Sequence, residues 1–184
     1  VMYSMSTNKG VKWQSQIMLS NNDRQDSEFP VADFSGTSTD SLAIVWRDST
    51  INNWDIVMAV TYDGGKTWQP SKTIAGGSQS QHDSYTIVDK NGRFHVLYDE
   101  YVGMGTGVRL MYGYSDDVGK TWQGFKAVSD TSVWSRLPKG AYDYTNDIVW
   151  LSWKDERDFD HQTGNRQADI VVKKITDGGK TWWP

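Results

Sequence analysis

Residues able to carry chemistry gather in six polar stretches of this 184-residue chain, at 21–28, 48–53, 78–83, 99–107, 130–136 and 154–167. They hold Arg24, Asp26, Glu28, Asp48, His82, Asp83, Asp99, Glu100, Tyr101, Trp134, Arg136, Asp155, Glu156, Arg157, Asp158, Asp160 and Arg166, with Arg47 and Arg109 close by. Several chemistries can be weighed directly. Trp54 and Trp134 can stack on sugar rings, and equally fit a core or its rim. Asp158-Phe159-Asp160-His161 supplies oxygen ligands for calcium but does not continue as an EF-hand loop, so no metal is assigned. His82, His95 and His161 are dispersed and argue for neither a metal nor a triad. Gly65-Lys66-Thr67 looks like the end of a phosphate loop. That motif needs a glycine five residues earlier and a helix after it, and Val60 stands at that position. No cofactor is implied.

These stretches hang on a repeat. Thr61-Tyr62-Asp63-Gly64-Gly65-Lys66-Thr67-Trp68 recurs as Ser115-Asp116-Asp117-Val118-Gly119-Lys120-Thr121-Trp122 and as Ile175-Thr176-Asp177-Gly178-Gly179-Lys180-Thr181-Trp182. A weathered copy, Ser6-Thr7-Asn8-Lys9-Gly10-Val11-Lys12-Trp13, has Asn for Asp and Lys for Thr. The four tryptophans stand 55, 54 and 60 residues apart. A fixed period near 50 residues marks a repeat architecture. The motif reads as a hairpin turn: Asp accepts from backbone N–H groups further on, Gly permits positive φ, and Trp pins the turn against its neighbour.

Composition narrows the class. Ten Trp, nine Tyr and 17 Gly with four Pro favour strands and tight turns, and no sustained helical apolar period is present. The chain has no cysteine, which excludes disulfides and leaves the compartment open, secretion included. A net charge of −4 of mixed sign gives no case for nucleic acid or an anionic membrane. No apolar run reaches the length of a membrane-spanning helix.

Alternation predicts four short strands per unit, A to D, with the repeated turn between C and D. The expectation is an all-β protein of propeller blades, each a four-stranded antiparallel sheet, because a lone blade cannot bury both faces and stacking does. The units are read as 1–20 (partial), 28–74, 84–128 and 139–184 (partial), one domain or domain segment over 1–184. Thirteen strands are expected, with no strand D after the last turn. Both ends read as cuts, so a missing segment or another copy of the chain would complete the propeller. An aromatic followed by an acid closes strand B in each unit: Trp46 and Asp48, Tyr98 and Asp99, Trp153 and Asp155. That recurrence assigns these acids to the repeat as readily as to chemistry. The B–C and D–A connections, which hold the polar stretches, fall on the face opposite the repeated turns.

The tandem Ser/Thr-x-Asp-x-Gly-x-Thr-Trp turn resembles the Asp-box, or BNR, repeat of the sialidase superfamily. The resemblance implies a propeller whose boxes are structural and lie away from the active site. It implies three arginines clamping a substrate carboxylate, since the guanidinium fork matches it, with a tyrosine nucleophile activated by Glu and an Asp acid/base. The family's Arg-Ile-Pro signature has no counterpart at the nearest stretch, Glu28-Phe29-Pro30, which lacks Arg. The candidate catalytic residues are Asp48, Glu100, Arg109, Glu156 and Arg157. The expected activity is that of a sialidase-like glycoside hydrolase, or a segment of one, with a glycan as partner. The alternative is a non-catalytic, glycan-binding or interaction propeller.

Overall fold

A computed structural model describes residues 1–21, 23–34, 40–51, 53–103, 107–130, 133–157, 167–176 and 181–183. The sequence expectations for Asp158, Asp160, His161 and Arg166, and for the 177–180 part of the last repeat, lie outside the described residues. Those described contain β-strands and no helix. A two-stranded piece, β1 (Met2–Tyr3) with β2 (Ile17–Met18), is followed by three four-stranded antiparallel sheets in chain order. The first is β3 (Ser27–Phe34), β4 (Leu42–Ser49), β5 (Trp54–Thr61) and β6 (Lys72–Ala75). The second is β7 (Gln81–Val88), β8 (Phe94–Tyr101), β9 (Val108–Ser115) and β10 (Gln123–Ala127). The third is β11 (Ser135–Asp143), β12 (Ile148–Asp155), β13 (Asp169–Thr176) and β14 (Thr181–Trp183). These are successive propeller blades, and together they do not close.

The period-2 pattern explains the stacking, because successive side chains leave opposite faces of a strand. In β4, Ala43 and Val45 join Phe94, Val96 and Tyr98 of β8 between the first and second blades. Ile44 and Trp46 point the other way, toward Leu19, Tyr3 and Trp68. Leu97 of β8 meets Val149, Leu151 and Trp153 of β12 between the second and third blades. Both faces of the middle blade are thus buried, and the cores lie between sheets. β7, the inner strand of the second blade, contacts the inner strands β3 and β11.

The repeated turns share one hydrogen-bond scheme. The amides of Gly10, Gly65 and Gly119 donate to the hydroxyls of Ser6 (2.8 Å), Thr61 (3.0 Å) and Ser115 (2.8 Å). The amides of Lys12, Thr67 and Thr121 donate to Asn8 (2.8 Å), Asp63 (2.9 Å) and Asp117 (2.8 Å). In the two clean copies the Thr hydroxyl closes onto the second carboxylate oxygen, at 2.7 and 2.6 Å. Lys12 has no hydroxyl to do this. Trp68 packs edge-on against Tyr3, and Trp182 against Tyr112 of the preceding blade.

Two expectations are corrected. A fourteenth strand exists: β14 pairs with β13 through Lys174–Trp183, Ile175–Trp182 and Thr176–Thr181. It begins inside the repeated motif, so no separate apolar run announced it. Strands A and B also run further than their apolar alternation. β7 begins at Gln81, β11 at Ser135, and β8 continues to Tyr101. The added rungs carry Gln81, His82, Asp83, Asp99, Glu100, Ser135 and Arg136, whose polarity hides a strand from a hydrophobic pattern. In the other direction, the strand expected over 12–20 shrinks to Ile17–Met18.

Candidate functional site

The B–C turns and D–A links come together on one face. The amide of Ser49 donates to the Asp26 carbonyl (2.8 Å), Tyr101 to Ser80 (2.9 Å) and Glu156 to Trp134 (2.9 Å). On the other face the repeated turns adjoin the A–B turns: Gly64 donates to the Asp40 carbonyl (2.9 Å), and Arg93 pairs with Asp116.

On the first face a row of half-buried rings runs from the first blade across the second to the link leading into the third. Trp54 stands 6.3 Å from His82, His82 4.5 Å from Tyr101, and Tyr101 6.2 Å from Trp134, centroid to centroid. Backbone hydrogen bonds anchor Trp54, Tyr101 and Trp134, and side-chain bonds to Arg47 and Ser80 hold His82. Asn53 receives the Trp54 amide on its Oδ1 and donates from Nδ2 to the carbonyls of Gly77 and Gln79, tying the first blade's B–C turn to the link beyond it. The carbonyl of Trp134 accepts from Glu156, and Trp134 bridges to Val108.

Arg47 lies between the rings of Phe29 and Trp54, at 4.5 and 4.4 Å. Its Nε and Nη2 donate to Glu28 (3.1 and 2.6 Å) and its Nη1 meets His82 Nδ1 at 2.8 Å. A guanidinium can only donate, so His82 Nδ1 carries the lone pair and Nε2–H donates to Ser80 Oγ, 3.0 Å away. Burial, and next the Arg47 charge, hold the His82 pKa below its usual value, which agrees with this neutral tautomer. Arg47 is therefore spent within the protein.

Arg136 differs. It sits 5.9 and 5.8 Å from the rings of Tyr101 and Trp134, and its buried Nε has no hydrogen-bond partner. Its charge acts on Asp99, which has 0% of its surface exposed and neither carboxylate oxygen in a fully formed hydrogen bond. Burial first, and the Asp83 charge second, raise the Asp99 pKa to about 7, with Arg136, the Leu137 backbone and Arg47 opposing. Near neutrality a carboxyl that passes between its protonated and ionised forms thus shares the site with a second carboxylate and a guanidinium.

The five sequence candidates are each engaged within their own blade. Asp48 accepts from Ser27 Oγ at 2.7 Å, and Glu100 receives Arg109 Nε and Nη2 at 2.9 and 2.5 Å. Glu156 pairs with Lys154, and Arg157 bonds both oxygens of Asp155 at 2.8 and 3.0 Å. Asp48 and Glu100, expected on loops, lie in β4 and β8. The residues that converge across blades, His82, Asp99, Tyr101, Trp134 and Arg136, stand in the polar stretches but outside the candidate set. One signal for Arg136 was present in the sequence. Glu28-Phe29-Pro30 and Arg136-Leu137-Pro138 occupy the same place, each at a register shift of strands A and B, with positive φ at Phe29 (53°) and Leu137 (57°). Arg136-Leu137-Pro138 is thus an Arg-x-Pro stretch where the blade repeat places Glu28-Phe29-Pro30.

No protein-family profile and no curated protein matches the sequence. Solved structures do match the fold. A Hadza microbial sialidase superposes with a TM-score of 0.63 at 19% identity, over 85% of this chain and 36% of that one. The Trypanosoma rangeli sialidase gives 0.64 at 17% identity, over 98% of this chain and 32% of its own. An endo-arabinase from Bacteroides thetaiotaomicron gives 0.58 at 15% identity, over 92% of this chain and 64% of its own. The chain spans about a third of the two sialidases. Its fold is the sialidase-like β-propeller, seen in part.

Proposed function

We propose that this chain is part of a sialidase-like, Asp-box propeller that engages a carboxylate-bearing glycan on the face carrying Arg136. One observation carries the reading. Among the described residues, Arg136 is the guanidinium whose buried Nε is unsatisfied, and it rests on two half-buried rings while its charge acts on a buried acid of raised pKa. A planar cation so placed suits a carboxylate, and the rings suit the apolar face of a sugar. The sialidase and arabinase names of the similar folds support a carbohydrate ligand. Asp83 with Asp99 supplies two carboxyls in unlike surroundings, as glycoside hydrolysis uses. Glu100 with Arg109, Glu156 beneath Trp134, and Arg157 with Asp155 brace this face, and Asp48 braces the first blade's edge.

The non-catalytic reading draws on one observation of its own: Asp99 is shut from solvent, so a bound sugar would not reach it without rearrangement. Calorimetry with acidic saccharides and their neutral counterparts, alongside a fluorogenic sialoside panel, tests both. The acidic forms should bind at least about tenfold more tightly, and Arg136→Ala should erase that preference. Equal binding of acidic and neutral forms removes the reading. Turnover selects the hydrolase, and binding without turnover selects the lectin-like module.

A further inference from the structure

We infer that the row Trp54, His82, Tyr101 and Trp134 is a track for an oligosaccharide of several units, laid across three blades with its acidic unit at the Arg136 end. This rests on the reading above that the face binds an acidic glycan, and adds the length and direction of the ligand.

Three observations carry it. First, the rings are spaced 4.5–6.3 Å apart from neighbour to neighbour, yet come from the first blade, the second blade and the link that leads into the third. A site for one terminal sugar needs one or two of them. Second, none of the four belongs to the hydrophobic clusters that hold the blades together, and all remain partly exposed. Rings kept out of the core but fixed by hydrogen bonds of their residues are preorganised for a ligand, since little freedom is lost on binding. Third, the row is electrically lopsided. At the Trp54 end the Arg47 charge is neutralised by Glu28, while at the Trp134 end Arg136 has an unused buried donor. A carboxylate is therefore favoured at the third blade, and uncharged sugar faces suffice toward the first.

The test is a length series on the full 184-residue chain, read by calorimetry. Free sialic acid, sialyl oligosaccharides of increasing length, and uronic-acid oligomers from monomer to about hexamer serve as probes. Affinity should rise at least about tenfold from the single acidic sugar to the longer members. Trp54→Ala should cancel about three- to tenfold of that gain, a larger loss for the longer members than for the single sugar, because Trp54 lies at the other end of the row from Trp134 and Arg136. Trp54→Phe keeps a ring and should retain most of the gain, which separates lost stacking from misfolding. If monomer and longest oligomer bind equally, and Arg136→Ala still abolishes binding, the track is wrong and the acidic-glycan reading stands. If no acidic saccharide of any length binds, both fall.

Discussion

Asp99 and Arg136 set the terms at the scale of the residue. A carboxyl with no exposed surface keeps its proton to about pH 7, because burial and the Asp83 charge outweigh the nearby guanidinium groups. The sign of the consequence follows from linkage. With the folded pKa above the unfolded one, the folded state binds the extra proton between pH 4 and 7, so stability falls as pH rises through that window and stays reduced above it. Asp99→Asn removes the titration. The variant should match the parent near pH 4 and exceed it above pH 7 by on the order of 2–4 kcal/mol, in urea unfolding followed across pH. A difference independent of pH would refute a raised pKa at Asp99. The same substitution should leave Arg136 available to an anion at high pH, where ionised Asp99 would compete for it.

At the scale of the element, the repeated turn is a fastener built from one carboxylate and one left-handed pair. Its fourth position is at positive φ in every described copy: Lys9 (60°), Gly64 (70°) and Val118 (55°). The glycine that follows is also left-handed, at 85° for Gly10 and 84° for Gly119. The Thr67 side chain and amide hold Asp63 well below the usual carboxylate range, and those of Thr121 do so for Asp117. Because these folded pKa values are depressed, the stability they contribute is present above the ordinary carboxylate pKa and drains away as pH falls below about 4. Gly10 and Gly119 offer a matched pair of tests. A Cβ at Gly10 would meet nothing within 4 Å, whereas at Gly119 it would stand 2.4 Å from Met58 Cε and 3.3 Å from Phe94 Cδ2. Gly10→Ala should cost about 1–2 kcal/mol of backbone strain. Gly119→Ala should cost measurably more, because the blade interface at Met58 and Phe94 must shift as well. Equal losses in denaturant titrations would mean that this turn does not report on packing between the blades.

At the scale of the molecule, what matters is which sheet faces are covered. The middle blade is buried on both sides, but the third blade turns Trp150 (40% exposed), Ile170 (71%) and Val172 (51%) outward. The cross-strand pair Met2 (51%) and Met18 (54%) does the same at the two-stranded piece. The inner blade contacts use the same kind of surface, an alternating apolar face laid on its neighbour. Two such faces predict head-to-tail association of chains, continuing the kind of interface formed between blades within one chain. Light scattering over a range of concentrations should show mass above that of a single chain. Ile170→Lys combined with Val172→Lys should return it to one chain, because burying either ammonium without a partner is costly. A single-chain mass for the parent at every concentration would rule this association out.

The all-β class, the blade plan and the repeated turn were legible in the sequence because each rests on local rules. Alternation sets the face of a residue, Gly and Asp set a turn, and a period of about 55 residues sets the unit. The site was legible only as a set of polar stretches. Its charged rungs break the apolar alternation, so β7, β8 and β11 were read short and Asp48 and Glu100 were placed on loops. Which arginine is free is not a local property either. Arg47 and Arg136 look alike in sequence, and the tertiary structure alone seats Glu28 and His82 on one while leaving the other's Nε without a partner. Partnership between blades depends on how the sheets stack, and stacking brings Trp54, His82, Tyr101 and Trp134 into one row although 80 positions separate the first from the last.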